Sequence, residues 1–351
     1  MSKLILRRDF MLAMAAATAG CSQAPLAPPS ATDWLRAKPP NLRAAEDLAH
    51  LLPKFDTTAL MAIHRGRVIA TYGDEQVVSY LASARKSLVS MIYGASVARG
   101  AIDLDATLES FGFDDTGGLL PIERKATIRH LLMSRSGVYH RAANLGDASD
   151  RAPPRGSVRP GDYFLYNNWD FNALGAIFRK LTGHSLYQAF EDDIARPIGL
   201  QDWNINGQAV RNDTGESAHP AEHFVLSTRD MARVGLLMLQ NGRWGRRQVL
   251  PASWVQLTTR VSTPATEVAR TSRFVDGLGY GYLWWVFDPA AHWPQEEKGA
   301  YTASGAFGQF ITVLPALDLV VAHKTQAPSK LNVTPQQYLE QILPAAIRLV
   351  R

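Results

Sequence analysis

Strand patterns stand at both ends of this chain, and helical patterns fill its middle. Arg65-Gly66-Arg67 separates two apolar runs, Ala59–His64 and Val68–Tyr72, and this spacing predicts a hairpin. Strand-like runs return near the C-terminus, at Tyr280–Phe287, Gln309–Leu314 and Leu319–His323. Residues 100–275 carry several helical patterns instead. This order predicts an α+β fold whose antiparallel sheet is built from both ends of the chain.

Capping signals set the boundaries of several predicted helices. Asn41 can cap a short helix that runs through Leu51. The sequence Ser227-Thr228-Arg229-Asp230 predicts a capping box, and Gly242 is expected to end the helix that it opens. Another capping box, Thr334 with Gln337, is expected to open the last helix.

Ser83-Ala84-Arg85-Lys86 is the chain's only S-x-x-K sequence, and it opens an apolar-periodic stretch that ends at Gly100. Residues three apart share one face of a helix, so the amine of Lys86 should lie beside the hydroxyl of Ser83. A serine hydroxyl is weakly nucleophilic without a base, and a lysine whose pKa is lowered by burial or nearby positive charge can act as one. The alternative is a serine and a lysine on a solvated helix surface.

Two further short motifs follow the S-x-x-K sequence. Tyr166-Asn167-Asn168 is the chain's only Y-x-N sequence, and Ala303-Ser304-Gly305 precedes a strand-like run near the C-terminus. S-x-x-K, then Y-x-N, then a Ser/Thr-Gly strand is the order found in the active-site serine penicillin-recognising enzymes.

From about Thr57 to about Thr325 the chain resembles the class C β-lactamase-like serine hydrolases, which include esterases, DD-peptidases and 6-aminohexanoate-dimer (nylon oligomer) hydrolases. Other matching segments are Ile128–Leu132 with Ser136-Gly137, Leu226–Arg233, Tyr280–Trp285 and Gly305–Gln309. The last of these is closest in style to the esterase and nylon-oligomer branch. The resemblance implies a β-lactamase/transpeptidase-like fold, with an antiparallel sheet flanked by helices, a mainly helical lobe at about 100–275, and the site between the lobes.

The resemblance also implies roles for individual residues. Ser83 would be the acylated nucleophile, with Lys86 and Tyr166 as acid and base; which of the two takes the serine proton stays open. Backbone N–H groups would form the oxyanion hole, at Ser83 and Ala306. Substrate contacts would come from Asn168, Ser304 and Gly305.

Ala303 departs from the pattern of the family. β-Lactamases and many DD-peptidases have Lys or His at this position, where the cation helps to bind a substrate carboxylate. We therefore expect a serine hydrolase that cleaves an ester or amide of a small molecule through an acyl-enzyme on Ser83, without a cofactor. One alternative is a DD-peptidase or β-lactamase, for which Lys324-Thr325 could be a displaced K-T-G element. The other is a non-catalytic envelope binding module with a penicillin-binding fold.

Several other residues admit two interpretations. His219-Pro220-Ala221-Glu222-His223 matches the H-x-x-E-H zinc motif, but the convincing helix begins only at Ser227, so no metal site is predicted.

Trp169 and Trp284-Trp285 could wall an apolar cleft or pack in the core. Tyr139 could reach the site. We expect specificity to lie in the 140–160 and 262–275 loop regions.

The N-terminus has the pattern of an export signal. Arg7-Arg8 resembles a twin-arginine signal, Met11–Ala19 is apolar but too short to span a membrane, and Thr18-Ala19-Gly20-Cys21 resembles a lipobox. The prediction is a signal peptide over 1–20, a Pro/Ala/Ser-rich tether over 21–42 and a hydrolase domain over 43–351. The mature protein would be periplasmic and anchored to a membrane by a lipid on Cys21. An ordinary secretory signal with an incidental cysteine is the alternative.

The charge balance does not favour a nucleic-acid partner. The formal net charge is +5, and removal of residues 1–20 takes away Lys3, Arg7, Arg8 and Asp9, which leaves +3. No basic stripe interleaved with aromatic residues is visible, so nucleic-acid binding is not predicted.

Overall fold

The computed structural model describes residues 34–144, 146, 148–271, 276–326 and 332–351. The predicted signal over 1–20, Cys21 and the tether up to residue 33 lie outside the described residues. Within the described ranges, no helix combines the length and apolar character needed to cross a bilayer.

In the described part of the chain, the strands are β1 Ala59–His64, β2 Arg67–Gly73, β3 Ser79–Tyr80, β4 Ala209–Arg211, β5 Ala221–His223, β6 Val225–Leu226, β7 Arg243–Trp244, β8 Arg247–Gln248, β9 Leu278–Tyr280, β10 Trp285–Phe287, β11 Tyr301–Gly305, β12 Gln309–Leu314 and β13 Leu319–Lys324. The α-helices are α1 Leu42–Leu51, α2 Arg85–Ala98, α3 Ile128–Leu132, α4 Asn168–Thr182, α5 Leu186–Phe190, α6 Arg196–Ile198, α7 Thr228–Leu239, α8 Ala252–Thr258, α9 Ala265–Thr271, α10 Pro335–Gln337 and α11 Leu343–Ile347.

The main sheet joins the two ends of the chain, as the sequence predicts. Its strand order is β2-β1-β13-β12-β11-β10-β9, and every neighbouring pair is antiparallel. The N-terminal strand β1 pairs along its whole length with β13, from Ala59 opposite Lys324 to His64 opposite Leu319. The α+β, β-lactamase/transpeptidase-like fold is confirmed.

Both faces of the sheet are covered, because successive side chains of a strand point to opposite faces. On β1, Met61 and Ile63 join the core beneath the helical lobe, whereas Leu60 and Ala62 join a second core that includes residues of α1 and α11. Helix α7 lies close to the sheet at Gly235, where an added Cβ would come 2.5 Å from Cγ1 of Val320.

The prediction of a single strand over 280–287 is wrong. Strand β9 ends at Tyr280 and β10 begins at Trp285, with a turn between them in which the N–H of Gly281 donates to the carbonyl of Trp284 at 2.8 Å. Leu283 has a φ of 62° in this turn. An added Cβ on Gly281 would lie 2.2 Å from the carbonyl oxygen of Thr258, so the close approach to α8 requires glycine.

The capping predictions have mixed outcomes. Asn41 caps α1, and the capping box of Thr334 with Gln337 is confirmed. Ser227 accepts from the backbone N–H of Asp230 as predicted. The second hydrogen bond of that capping box, from the backbone N–H of Ser227 to the Asp230 side chain, is predicted wrongly. The Asp230 carboxylate instead accepts from the N–H groups of Gln201 and Asp202, at 2.7 and 2.9 Å.

Candidate active site

Ser83 lies on a short turn that leads into α2. Residues Ala82–Ala84 form a 3₁₀ turn, and α2 begins directly after it at Arg85. Ala82 has a φ of 47°, a left-handed conformation that costs free energy in a residue with a side chain. The surrounding packing therefore holds the backbone before Ser83 in a strained geometry, which is common beside reactive groups.

The structure brings Ser83, Lys86 and Tyr166 together. Nζ of Lys86 donates to Oγ of Ser83 at 2.7 Å and to the hydroxyl of Tyr166 at 2.8 Å. Lys86 is only 3% exposed, and its Nζ lies 4.5 Å from the ring centres of both Tyr166 and Phe171. The interpretation of Lys86 as a solvated surface residue is therefore wrong.

Tyr166 is fixed by its ring and by its backbone. Its ring centre lies 5.0 Å from that of Phe171 and 5.4 Å from that of Trp285. Its carbonyl accepts from the N–H of Ala148 at 3.1 Å. Asn167 then caps α4 by accepting from the N–H of Trp169. The hydroxyl of Tyr166 thus meets Lys86 in a geometry set by a helix start on one side and the sheet on the other.

The end of β11 lies directly against the Ser83 turn. An added Cβ on Gly305 would come 2.3 Å from the carbonyl oxygen of Leu81 and 2.9 Å from the backbone nitrogen of Ala84. Only glycine lets the two backbones approach this closely. Ala306 follows Gly305 and lines the same cleft as Ser83. The structure thus brings both predicted oxyanion-hole residues to one cleft, and their role as donors stays a prediction.

A cleft of about 660 Å³ opens in front of these groups. The described residues that line it are Ser83, Gly146, Ala148, Ser149, Asp150, Arg151, Tyr166, Ser304, Gly305, Ala306, Phe307, Asn332 and Pro335. Ser304, on β11, is 5% exposed, and its buried Oγ has no hydrogen-bond partner in the described part of the chain. A buried hydroxyl without a partner is costly, so Ser304 is available to a bound molecule.

Asn168 and Tyr139 do not line this cleft. Asn168 is 1% exposed, and its Nδ2 lies 3.5 Å from the carbonyl of Asn144, so its contact with substrate stays a prediction. Tyr139 lines a neighbouring cavity of about 390 Å³, which shares Ser149 and Asp150 with the catalytic cleft. Burial raises the pKa of the Tyr139 phenol.

The tryptophans pack in the core. Trp169 and Trp284 are fully buried, and Nε1 of Trp169 donates to a carboxylate oxygen of Asp115 at 2.6 Å. Trp285 is 3% exposed and lies behind the ring of Tyr166. The interpretation of these residues as the wall of an apolar cleft is wrong, and the core interpretation is confirmed.

A buried charged cluster, Arg85 with Glu222 and His223, lies close enough to the site to interact electrostatically with it, and the sequence did not predict this cluster. Nη2 of Arg85 donates to Oδ1 of Asn172 at 3.2 Å, and burial lowers the pKa of Arg85. Glu222 pairs with Arg179, while burial raises the pKa of its carboxyl. Burial, aided by the charge of Arg85, lowers the pKa of His223 to about 3. An S-x-x-K pattern alone does not distinguish a buried arginine from an exposed one.

The H-x-x-E-H sequence does not have the geometry of a zinc motif. Glu222 and His223 lie on strand β5 rather than on a helix, so the two histidines are not one helical turn apart. His219 instead makes a 2.7 Å hydrogen bond through Nε2 to the carbonyl of Asp114 and stacks on Phe113.

Lys324 lies away from the catalytic cleft. It is 2% exposed, and its Nζ donates to the carbonyl of Ser79 at 3.1 Å and to that of Leu226. Burial lowers its pKa to about 7. The residue lines a separate small cavity, so the geometry does not support the displaced K-T-G interpretation.

A Ser–Lys–Tyr cluster against the end of strand β11 of an antiparallel sheet, beneath a helical lobe, is the arrangement of a serine hydrolase of the penicillin-recognising type. Residues 46–336 match the family model described as Beta-lactamase, and the chain belongs to that family. The protein is a serine hydrolase.

Known structures and sequences agree with this fold. A protein assigned as a 6-aminohexanoate-dimer hydrolase from Bacillus anthracis is similar with a TM-score of 0.67 at 19% identity, over 92% of this chain and 89% of that one. A β-lactamase from Mycobacterium bovis is similar with a TM-score of 0.61 at 19% identity, over 87% of this chain and 100% of that one. In sequence, a monacolin J acid methylbutanoyltransferase from Aspergillus terreus is 31% identical over 159 residues, 36% of this chain and 38% of its own length.

Proposed function

We propose that this protein cleaves an ester or amide bond of a small molecule through an acyl-enzyme on Ser83, with Lys86 and Tyr166 moving the protons. The observation that carries the proposal is the pair of hydrogen bonds from Nζ of Lys86, 2.7 Å to Ser83 and 2.8 Å to Tyr166. They link the nucleophile to two groups that can exchange its proton.

In the first half of the reaction, Oγ of Ser83 attacks the carbonyl carbon and its proton passes to the Lys86–Tyr166 pair, in which either the neutral amine of Lys86 or the phenolate of Tyr166 accepts it. The negative oxygen that forms meets the backbone N–H groups of Ser83 and Ala306, and donors held in place before the reaction stabilise such charge strongly. The bond to the leaving alcohol or amine then breaks, and the pair returns the proton to the leaving group.

In the second half, water attacks the acyl carbon and gives a proton to the same pair. The bond to Oγ of Ser83 breaks, Ser83 recovers a proton and the acid is released. The hydroxyl of Ser304, which has no hydrogen-bond partner among the described residues, supports a hydrogen bond to the substrate from the sheet side of the cleft.

The local chemistry supports an ester or linear amide over a β-lactam. Ala303, on β11, is fully buried and brings no charge to the part of the sheet beside the cleft, and Nζ of Lys324 is hydrogen-bonded to backbone carbonyls elsewhere. Two probes distinguish the proposed hydrolase from its two alternatives. These alternatives are a DD-peptidase or β-lactamase and a non-catalytic binding module. A fluorophosphonate alone should label Ser83; labelling by a fluorescent penicillin as well would favour the peptidase class, and labelling by neither would favour the binding module.

Acyl transfer to an alcohol is a second candidate. It is favoured by the sequence similarity to a methylbutanoyltransferase, and an acyl-enzyme can react with an alcohol in place of water. Adding an alcohol acceptor during turnover of a p-nitrophenyl ester should then yield a new ester; release of free acid alone would leave hydrolysis as the reaction.

We also propose that the protein is exported to the periplasm and anchored to a membrane through a lipid on Cys21. The twin-arginine pattern and the Thr18-Ala19-Gly20-Cys21 sequence support this. The protein made in its native host should partition into the detergent phase, and Cys21→Ser should move it to the aqueous phase. An unmodified N-terminus on aqueous wild-type protein would overturn the anchor.

A further inference from the structure

The catalytic cleft has one positively charged side chain among its described lining residues, that of Arg151. Arg151 ends a 3₁₀ turn, Ser149–Arg151, in the loop between α3 and α4. It is half-buried rather than fully exposed. Because the side chain is partly buried in a cleft, an ionic contact there is less weakened by water than one on an open surface.

The guanidinium of Arg151 has no hydrogen-bond or ion-pair partner within the described ranges, whereas its neighbours along the chain are paired. The paired side chains are Arg141 with Glu216 at 2.8 Å, Arg155 with Glu123 at 2.8 Å and Arg159 with Asp162 at 3.0 Å. The three other arginines of this region thus support the local structure, while Arg151 is left facing the cleft.

Asp150 is the one acidic residue among the same lining residues, and it must be considered because it precedes Arg151. Consecutive residues of a 3₁₀ turn are about 120° apart around its axis, so the two side chains leave the turn in different directions. Asp150 also has interactions of its own. The negative charge of Asp150 therefore weakens the positive potential at Arg151, but its carboxylate does not form an ion pair with the guanidinium.

We propose that Arg151 binds a carboxylate of the substrate, so that the substrate class is an ester or amide that carries a carboxylate away from the bond that is cleaved. The proposal rests on the proposed function of the same cleft. A planar guanidinium binds a carboxylate through two parallel hydrogen bonds, which gives orientation as well as affinity. Because residue 303 on β11 is an alanine, this part of the sheet offers no cation, so the anion is bound at the loop instead.

The test compares matched substrates on the full-length protein. On the acyl side the pair is p-nitrophenyl pentanoate and mono-p-nitrophenyl glutarate; on the leaving-group side it is phenyl acetate and 4-acetoxybenzoate. In one of the two pairs, the anionic substrate should have a kcat/KM about 10-fold or more above that of its neutral partner, the range for one charge-assisted contact. That preference should fall as salt is added.

Four variants identify the residue responsible. Arg151→Gln should abolish the preference while leaving the neutral esters within about 3-fold of wild type, and Arg151→Lys should retain part of it. Asp150→Asn should increase it. Arg159→Gln, a change to a paired and exposed arginine, should leave it unaltered.

Two results overturn the proposal: no preference for either anionic substrate in the wild type, or a preference that survives Arg151→Gln. These outcomes are distinct from failure of the proposed function. In that case the neutral esters would also be inert and Ser83 would not react with a fluorophosphonate.

Discussion

Two lysines of this protein are equally buried and differ in what they contact. Lys86 is 3% exposed and Lys324 is 2% exposed. Lys86 donates to two hydroxyl groups at the floor of the cleft, those of Ser83 and Tyr166. Lys324 donates to two backbone carbonyls, those of Ser79 and Leu226, and so connects β3 and β6 to the end of β13.

The difference shows that the partners of a buried lysine, and not its burial, indicate catalysis. A hydroxyl can give up a proton as well as accept a hydrogen bond, whereas a backbone carbonyl can only accept. Lys324 has a pKa lowered to about 7 and would pass as a candidate base on that ground alone. Its partners have no proton to exchange, and we therefore assign it a structural role.

The largest expected effect separates the two lysines directly. Lys86→Met should lower kcat/KM for a p-nitrophenyl ester by about 10²-fold or more, since it removes the acid–base group but keeps an apolar chain against Phe171. Lys324→Met, the matched control, should stay within about 3-fold of wild type at a temperature where both variants are folded. Equal losses in the two variants would remove the distinction between these lysines.

Tyr166→Phe should cost about 10²-fold in kcat/KM, since it removes the second hydroxyl partner of Lys86. The ring that packs on Phe171 and Trp285 is retained, so the unfolding midpoint should change little. A variant with wild-type rates would take Tyr166 out of the proton pathway. Tyr187→Phe, which also loses a hydrogen-bonded hydroxyl on a partly buried tyrosine but outside the cleft, is the control.

Lys324 should influence stability through pH. Its pKa is about 7 in the folded protein, below the ordinary value of 10.5 expected for the unfolded chain. Between these values the unfolded chain binds more protons, so the free energy of unfolding rises with pH, by up to about 1.4 kcal/mol per pH unit. Urea unfolding of Lys324→Met at pH 7 to 10 should show a smaller rise; an unchanged slope would contradict the depressed pKa.

His323 should have a smaller effect of the same sign at acid pH. Its Nδ1–H donates to the carbonyl of Gly308 at 2.8 Å, and its Nε2 accepts from the hydroxyl of Thr57 at 2.8 Å. Burial lowers its pKa to about 4 from 6.5, so stability should fall as pH drops from 6.5 to 4. Unfolding curves of His323→Gln across this range should fall less steeply than those of the wild type.

Much of the site could be predicted from sequence because the residues lie in short motifs. Ser83 and Lys86 are three apart at a helix start, a spacing that fixes their proximity locally. The order of the motifs resembles that of a known family, and this resemblance predicts that Tyr166 and Gly305 lie in the site. The sheet could be predicted because its strands have strong apolar patterns at both ends of the chain.

The remaining features depend on tertiary contacts that no local pattern encodes. Lys324-Thr325 resembles a catalytic motif, and only the hydrogen bonds of the Lys324 amine to carbonyls on β3 and β6 identify it as structural. Of the two loop regions expected to set specificity, the 140–160 region lines the cleft at Arg151, while no described residue of 262–275 does. Arg85 interacts electrostatically with His223 because α2 and β5 both pack against α4, although β5 is far along the chain from the S-x-x-K sequence.

Acylation of Ser83 during turnover can be tested by peptide mass spectrometry of the enzyme quenched with a slowly hydrolysed ester. We expect an acyl adduct on the peptide that contains Ser83, and neither adduct nor activity in Ser83→Ala. An active Ser83→Ala enzyme, or an adduct on a different residue of the wild type, would contradict it.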